Sequence, residues 1–594
     1  MSDPTFTTRP TLEGTFGMVS STHWTASSVA MRMLELGGNA FDAAVAGGFA
    51  LHVVEPHLNG PGGDLPAIVH VAGEPRPRVL CGQGPAPAGA TPEAFGDLGL
   101  EDIPGSGPTP AAVPGAVDAW LLMLQDLGSL DLRTVLAPAI DLARQGVPLV
   151  ARVGDTIRTV ADLFTLWPGS AELWMPDGAP PQAGQVHSNP AWADTLERLV
   201  EEAEGRGGDR EATIQAARDV WARGFVAEAI GAFMADEVPM PEGESHPWLL
   251  SVEDLNSYEA TWEEPVISEW NGYEVAKTGP WGQGPVMLEA LGMLESLGGE
   301  LDVDTAEGVH RIVEALKLAF ADREAWYGDS APVPIDDLLS PAYLRERAGL
   351  IGDRADHELR PGSPGGHEPR LPEAALGSRD PSGSGAGAGE PTVDATGRTR
   401  GDTCHIDVVD RLGNMVTATP SGGWLQSSPT IPALGMALGT RLQMMRLEPG
   451  LPSSLVPGRR PRTTLTPTLV LRDGEPVLAC GSPGGDQQDQ WQLVFLLRHL
   501  LAGQTLQEAI DAPTFHTLSM PGSFWPRTME PGVVVVEGRC PPEVVSALEE
   551  LGHEVRVGGA WSLGRMCAVS RNPRTGVLSA GANPRGMQGY AVGR

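Results

Sequence analysis

The feature that most constrains the fold is an abrupt change in composition in the second half of the chain. Residues 352–402 are crowded with Gly, Pro, Ser, Asp and Arg, and they include the small-residue run Pro381–Gly389. Directly after them, Thr403–Val409 has the pattern of a strand, and Gly413-Asn414 is a hairpin-type turn. We therefore predict a flexible tether over residues 352–402 that ends at a core strand beginning with Thr403.

The rest of the chain predicts a large mixture of helices and hairpins. With 594 residues it is too long for one hydrophobic core, so we expect several domains or one interleaved unit. Asn39 is placed to cap a helix over Ala40–Leu51. Further helices are predicted over Ala116–Leu127 and Gln488–Leu501, and residues 150–260 are predicted to be mostly helical.

Charge and motif content exclude several classes of function. The net charge of −35 would repel a polyanion, so no nucleic-acid partner is expected. The five cysteines are scattered without a C-x-x-C spacing, which argues against a zinc cage or a disulfide framework. The only lysines, Lys277 and Lys317, do not lie in a P-loop. We predict neither a metal nor a cofactor.

The sequence gives no sign of a membrane or export role. Residues Met1–Met18 are polar and lack the apolar region of a signal peptide. No apolar run approaches the ~20 residues needed to span a bilayer. We expect a soluble, cytoplasmic protein.

Thr403 is the first candidate nucleophile. Cutting the chain before it would leave a hydroxyl and a free α-amine on one residue, which together make a nucleophile and a base. The amine, with an ordinary pKa of about 7.7–8.0, would be partly neutral at pH 7. The alternative is an ordinary β-branched residue in a strand.

Two other nucleophile arrangements start from the same strand. Thr403, His405 and Asp407 share one face and could suggest a triad, but adjacent residues of one strand rarely converge as a triad requires. Cutting one residue later would instead expose Cys404 as the nucleophile.

Two later segments are candidate binding elements. Gly481–Asp486 lies between a predicted strand and a predicted helix, where successive N–H groups can form an oxyanion hole; the alternative is a plain turn. Arg459–Thr464 is basic within an acidic chain. It could hold a substrate carboxylate or neutralise local acids.

Together these motifs resemble the gamma-glutamyltranspeptidase (glutathione hydrolase) family of N-terminal nucleophile hydrolases. The resemblance is collinear over nearly the whole chain, and Gly37–Ala46 is similar to the family signature GGNAxDAAVA. The other matching segments are Val54–Pro56, Gly60–Gly63, Val113–Gly115, Pro138–Ile140, Ala321–Arg323, Pro457–Pro461 and Gly481–Gly485.

The resemblance implies a fold and a maturation step. The fold is α+β, a four-layer αββα sandwich built by both parts of a self-cleaving precursor. Family members cut themselves before a threonine in a T-x-H-x-x-V-x-D context, which places the cut here between Asp402 and Thr403. A large chain, 1–402, and a small chain, 403–594, would then form one interleaved unit. Whether two such units form a homodimer is left open.

The resemblance also implies catalytic roles. Thr403 Oγ would attack an amide carbonyl while its α-amine serves as the base. The N–H groups of Gly484 and Gly485 would hold the oxyanion. Ser421 stands in place of the family's second threonine, which hydrogen-bonds the amine of the nucleophile. Water or an amine would then release the acyl group.

The substrate pocket departs from the family pattern. The family's carboxylate-binding arginine is absent at Gln83, and its paired serines are Thr463 and Thr464. The family's amine-binding Asn, Gln and Asp fall at Gly423, Arg441 and Met444. A charge buried without its partner costs several kcal/mol, so such changes alter specificity.

These departures favour an amide of a small carboxylate-bearing molecule as substrate. The pattern looks like the branch with oxamate amidohydrolase-like and cephalosporin acylase-like members. Arg441 is the candidate that grips the carboxylate; the alternative is a structural salt bridge. Two other functions stay open: gamma-glutamyl transfer with a rebuilt pocket, and a non-catalytic scaffold.

Overall fold

The computed structural model describes residues 6–241, 243–373, 403–525 and 527–594. Asp402, on one side of the predicted cut, and the rest of 374–402 lie outside these ranges. Within them the strands are β1 (Leu12–Gly14), β2 (Gly17–Ser21), β3 (Leu65–His70), β4 (Arg78–Gly82), β5 (Val147–Pro148), β6 (Val186–His187), β7 (Val238–Pro239), β8 (Ser245–His246), β9 (Thr261–Glu263), β10 (Val266–Trp270), β11 (Tyr273–Lys277), β12 (Ile406–Asp410), β13 (Met415–Ala418), β14 (Thr468–Arg472), β15 (Glu475–Gly481), β16 (Phe515–Thr517), β17 (Val533–Val536), β18 (Glu554–Val557), β19 (Cys567–Arg571), β20 (Leu578–Ala582) and β21 (Tyr590–Gly593).

The helices of the described residues cluster in the first two thirds of the chain. They are α1 (Trp24–Glu35), α2 (Ala40–Val54), α3 (Pro92–Asp97), α4 (Ala116–Leu127), α5 (Leu132–Gln145), α6 (Ala151–Thr159), α7 (Ala161–Leu166), α8 (Pro168–Trp174), α9 (Pro190–Gly205), α10 (Arg210–Arg223), α11 (Phe225–Phe233), α12 (Val252–Ser257), α13 (Pro285–Leu297), α14 (Ala306–Trp326), α15 (Ile335–Leu338), α16 (Pro341–Ala348), α17 (Gln488–Leu496), α18 (Leu506–Asp511) and α19 (Pro542–Glu550). None of these helices combines the length and the apolar character that a membrane crossing requires.

Two seven-stranded sheets organise the molecule. One has the order β1-β20-β19-β15-β14-β11-β10, and the other has the order β21-β2-β12-β13-β3-β4-β9. Neighbouring strands pair antiparallel in both sheets. Because β12 pairs with β2 and β14 pairs with β11, the segments before and after residue 402 are interleaved in both sheets.

The sheets share an apolar layer and carry helices on their other faces. Side chains such as Met18 and Val409 from one sheet and Leu469 from the other lie in a single buried cluster. A second cluster joins the β12 sheet to α1, α2 and α4, and a third joins the β14 sheet to α13, α14 and α17. Burial of this apolar surface is the main stabilising contribution to the fold.

Helix α2 shows how the sequence determines a buried element. The Asn39 side chain accepts hydrogen bonds from the N–H groups of Phe41 and Asp42, while the Asp42 carboxylate accepts one from Asn39 N–H over 2.8 Å. The predicted start at Ala40 is confirmed, and the helix runs on to Val54 because nearly all of its residues are apolar and buried.

Other predicted elements match with two corrections. The helix over Ala116–Leu127 is confirmed, and residues 150–260 are largely helical. The predicted strand over Thr403–Val409 is wrong at its start, because regular pairing with β2 begins only at Ile406. The predicted helix over Gln488–Leu501 is regular only to Leu496, and then widens into a π-helical turn over Leu497–Leu501.

The first part of the predicted tether, residues 352–373, contacts the body of the molecule. Ala355 N–H donates to the Leu551 carbonyl over 2.8 Å, and Gly362 N–H donates to the Asp322 carboxylate over 2.6 Å. The Lys317 ammonium also donates to the carbonyl of Asp356.

Candidate active site

Thr403 lies beside Ser421. The two residues form an isolated antiparallel bridge between the segments before β12 and after β13. The Thr403 hydroxyl donates to Ser421 Oγ over 3.4 Å, and both residues are buried. Cys404 N–H donates to the Pro420 carbonyl over 3.0 Å and fixes this alignment.

His405 and Asp407 form a separate buried pair. His405 Nε2 lies 2.8 Å from Asp407 Oδ1, and His405 Nδ1 lies 2.9 Å from Thr419 Oγ1. Burial raises the pKa of Asp407, although the neighbouring His405 opposes this shift. Since both ring nitrogens of His405 are occupied, the pair is suited to hold the strand rather than to act as the base of a triad with Thr403.

Cys404 points to the opposite side of the strand. Its thiol donates to Glu55 Oε2 over 3.1 Å, and Asn59 Nδ2 donates to its sulfur over 3.1 Å. Burial, and then the negative charge of Glu55, raise the pKa of this thiol well above its ordinary value. A thiol kept protonated in this way is a poor nucleophile.

The end of β15, at Gly481, lies against the strand of Thr403, and the glycine loop at Gly484 and Gly485 follows it. Gly484 has φ 138° and Gly485 has φ 53°, which favour glycine. A Cβ on Gly484 would lie 2.3 Å from the Trp491 ring, and one on Gly481 would lie 2.1 Å from the His405 ring. Gly481 therefore lets β15 lie against His405, and Gly484 lets the loop lie against α17.

The predicted pair Thr463-Thr464 lies close to this loop. Thr463 N–H donates to the Trp281 carbonyl, and Gln283 N–H donates to the Thr463 carbonyl, each over 2.9 Å. The Gln283 side chain donates in turn to the Gly485 carbonyl over 3.2 Å. The buried Thr464 hydroxyl has no hydrogen-bond partner among the described residues, so it can donate to a ligand.

Arg441 is paired with Asp64, an acid that is not among the predicted site residues. Arg441 Nη2 lies 2.8 Å from Asp64 Oδ1, and the guanidinium carbon lies 5.5 Å from the Trp424 ring centroid. Burial raises the pKa of Asp64, while Arg441 and the Gln83 side chain oppose this shift. This contact agrees with the salt-bridge interpretation of Arg441, and an acid does remain in this region.

The Asp64–Arg441 ion pair is connected to the candidate nucleophile through Ser421. Ser421 forms antiparallel bridges with Thr403 on one side and with Asp64 on the other. Residues directly opposed in this way point to the same face. Asp64 ends the glycine loop Gly60–Gly63, and a charge directly after such a loop was the signal available in the sequence.

The remaining predicted pocket residues are Gln83, Gly423 and Met444. Gln83 is buried at the end of β4, and its side-chain oxygen has no hydrogen-bond partner among the described residues. Gly423 has φ 60°, and its carbonyl would lie 2.1 Å from a Cβ on Gly60. Gly423 therefore packs closely against the loop Gly60–Gly63. Met444 is buried, with its sulfur 3.8 Å from Arg441 Nη1.

One group of possible metal ligands lies elsewhere, on α14 and before β18. Ligand atoms of His310, Glu314 and His553 lie within 4.8 Å of one another in the described structure. The Lys317 ammonium and the Arg360 guanidinium already face the Glu314 carboxylate. Two cations at the only anionic ligand do not favour a divalent ion there.

Comparisons with known proteins agree with the geometry. A family model described as gamma-glutamyltranspeptidase matches residues 26–593. The oxamate amidohydrolase proenzyme of Klebsiella pneumoniae subsp. pneumoniae is 32% identical over 591 residues, which cover 98% of each chain.

Two solved structures are similar over almost the full length. LmbA2991HD superposes with a TM-score of 0.94 at 56% identity, covering 99% of this chain and 100% of that chain. Cephalosporin acylase from Bacillus halodurans superposes with a TM-score of 0.81 at 28% identity, covering 100% of this chain and 99% of that chain. These matches favour an enzyme over a non-catalytic scaffold. The chain belongs to the gamma-glutamyltranspeptidase family and is an enzyme of its amidohydrolase and acyltransferase kind.

Proposed function

We propose that the chain is a self-processing N-terminal threonine hydrolase or acyltransferase that cleaves an amide through an acyl-enzyme on Thr403. The observation that carries this proposal is the buried alignment of Thr403 with Ser421, whose hydroxyl oxygens lie 3.4 Å apart. The loop with Gly484 and Gly485 follows β15, whose last residue Gly481 lies against His405, and this supports an oxyanion hole at the two glycines. The apolar layer between the sheets and the helices on their outer faces support the family's four-layer αββα sandwich.

The first reaction matures the enzyme. Thr403 Oγ attacks the carbonyl carbon of Asp402, the C–N bond breaks, and the hydroxyl proton passes to the departing nitrogen. Water then hydrolyses the ester, which restores the Thr403 hydroxyl and leaves its α-amine free. The products are the chains 1–402 and 403–594.

The second reaction is acyl transfer. The α-amine of Thr403 takes the hydroxyl proton as Oγ bonds to the substrate carbonyl carbon. The N–H groups of Gly484 and Gly485 stabilise the oxyanion, and Ser421 orients the amine. The amine then gives the proton to the leaving nitrogen, the amide C–N bond breaks, and water or an acceptor amine releases the acyl group.

The substrate we favour is an amide of a small carboxylate-bearing molecule. Arg441 Nε is buried and has no hydrogen-bond partner among the described residues, although Nη2 is paired with Asp64. The Thr464 hydroxyl is likewise buried without a hydrogen-bond partner among the described residues, and each of the two groups is a donor suited to a carboxylate. Asp64 limits the positive charge of the pocket, which supports selection of a small anionic group by hydrogen bonds.

Gamma-glutamyl transfer is the second candidate, and one observation favours it. Asp64 provides an acid beside an arginine, so the ammonium and the carboxylate of a glutamyl group could each find a partner of opposite charge. The two candidates therefore differ in which charges on the substrate increase the rate.

A panel of amides on the processed protein separates the candidates. The panel contains oxamate, an acylated cephalosporin, gamma-glutamyl-p-nitroanilide and neutral acetamide, with Thr403→Ala as the blank. Turnover of oxamate well above acetamide supports the favoured substrate class, whereas preference for the gamma-glutamyl compound supports the second. Equal turnover by Thr403→Ala would refute both candidate functions.

A further inference from the structure

We propose that Glu324 is a positioning residue for acyl transfer. It holds the Thr463-Thr464 segment and the Gly484-Gly485 loop at fixed positions relative to each other. This inference rests on the proposed function and adds to it a residue on α14. Its basis is a buried network of arginines and carboxylates behind both segments.

Glu324 is the centre of this network. It is 1% exposed, and its Oε1 lies 2.9 Å from Arg462 Nη1 and 2.9 Å from Arg323 Nη2. Its Oε2 lies 3.4 Å from Arg446 Nη2. One carboxylate thus contacts three guanidinium groups.

One arm of the network reaches the threonine pair. Arg462 directly precedes Thr463 in the chain, and it is 3% exposed. Besides Glu324, its guanidinium group contacts the Arg323 carbonyl at 3.4 Å and Ser523 Oγ at 3.3 Å. The contact with Glu324 is the shortest of the three. Glu324 therefore fixes the position of the backbone between Arg462 and Thr463.

A second set of contacts in the network reaches the Gly484-Gly485 loop. Arg323 Nη1 donates to Gln283 Oε1 over 2.9 Å and also to the carboxylate of Asp486, the residue after Gly485. Gln283 Nε2 donates to the Gly485 carbonyl over 3.2 Å. Asp486 accepts from Ser523 N–H over 2.8 Å. The Gly485 peptide is therefore held through Gln283 and Arg323, which Glu324 orients.

The charge balance makes Glu324 hard to replace. Burial would raise its pKa, but Arg462, Arg323 and Arg446 outweigh burial and lower the pKa to about 2. Burial lowers the pKa of Arg462 and of Arg446 to about 10. Without the carboxylate these cations would be buried with too little countercharge.

The network also crosses the predicted division of the chain. Gln283, Arg323 and Glu324 precede residue 402, whereas Arg462 and Asp486 follow Thr403. After cleavage the large chain would therefore hold both active-site segments of the small chain.

The test measures acylation of the processed enzyme by p-nitrophenyl acetate in a stopped-flow burst. In this reaction Thr403 Oγ bonds to the acetyl carbon, p-nitrophenolate leaves, and the hydroxyl proton passes to the α-amine. The rate of the burst at saturation gives the acylation constant, and its concentration dependence gives the binding constant. A burst of equal size in Thr403→Ala would refute the proposed function itself, independently of Glu324.

Glu324→Gln should lower the acylation constant at least ~10-fold while the binding constant changes less than ~3-fold, because misplaced donors weaken transition-state stabilisation more than binding. The matched control is Glu537→Gln. Glu537 is a fully buried carboxylate that contacts Arg585 at 2.7 Å and Arg539 at 2.6 Å, and neither arginine belongs to the Thr463-Thr464 or the Gly484-Gly485 segment. Its acylation constant should stay at the wild-type value.

A second variant, Gln283→Leu, cuts the link to Gly485 and leaves the ion pairs of Glu324 in place. It should also lower acylation more than binding, and it decides the question if Glu324→Gln fails to fold or to cleave itself. Wild-type acylation in either processed variant, or an equal loss in Glu537→Gln, would overturn the proposal.

Discussion

Arg441 and Asp64 form a buried ion pair over 2.8 Å, on the opposite side of Ser421 from Thr403. The pair joins two positions that lie 377 residues apart in the sequence, one directly after the loop Gly60–Gly63 and one in the short 3-10 helix Arg441–Met444. Ser421 therefore lies between the candidate nucleophile and this charged pair.

Asp64→Asn should improve the binding of anionic amides. The change keeps the shape of the side chain but removes a negative charge, so Arg441 attracts a substrate carboxylate more strongly. KM for oxamate should fall by about 10-fold, which corresponds to about 1.4 kcal/mol. KM for acetamide should not change, and a parallel fall for both amides in steady-state assays would contradict the role of charge.

Cys404→Ser should still cleave itself and remain active. The serine hydroxyl can replace the thiol as a donor to Glu55, and the raised pKa argues against a thiolate nucleophile. Gel and mass analysis of the two fragments, with Thr403→Ala as the uncut reference, measures this. Loss of cleavage in Cys404→Ser alone would instead favour the thiol.

Gly484→Ala should lower activity by about 100-fold, because an added Cβ would move the proposed oxyanion donors. That Cβ would lie 2.3 Å from the Trp491 ring, at φ 138°. Gly503→Ala is the matched control, since Gly503 also has positive φ (70°), but no atom of the described residues lies within 4 Å of an added Cβ. The control should cost about 1 kcal/mol of stability through backbone strain and leave kcat unchanged. Equal kcat values in the two variants would contradict the role of the loop.

Acid should weaken the wild-type protein through Glu324. Its pKa is lowered from 4.5 to about 2 in the fold, so its contribution is present above pH 4.5 and is lost as the pH falls towards 2. The shift corresponds to about 3 kcal/mol. Denaturant unfolding between pH 6 and pH 3 should therefore show a smaller loss of stability for Glu324→Gln than for the wild type. Identical pH dependence would show that Glu324 is not held as its contacts indicate.

Much of the chemistry was predictable because it depends on short segments. Thr403, Ser421 and the Gly484-Gly485 loop lie in local motifs, and the structure places Thr403 beside Ser421. The cap at Asn39 is equally local, since both of its partners follow within three residues.

What could not be predicted depends on distant contacts. Asp64 meets Arg441 across 377 positions of the chain, and Glu324 meets Arg462 only because α14 packs behind the β14 sheet. The strand at Thr403 starts late for a similar reason, since its partner β2 ends at Ser21, opposite Ile406. No periodicity in the sequence records such pairings.

The most direct test of the account is the intact mass and N-terminal sequence of the small fragment from purified protein. We expect two fragments, 1–402 and 403–594, with Thr403 as the new N-terminus and no cleavage in Thr403→Ala. A chain that stays intact on long incubation, or a fragment beginning at Cys404, would contradict it.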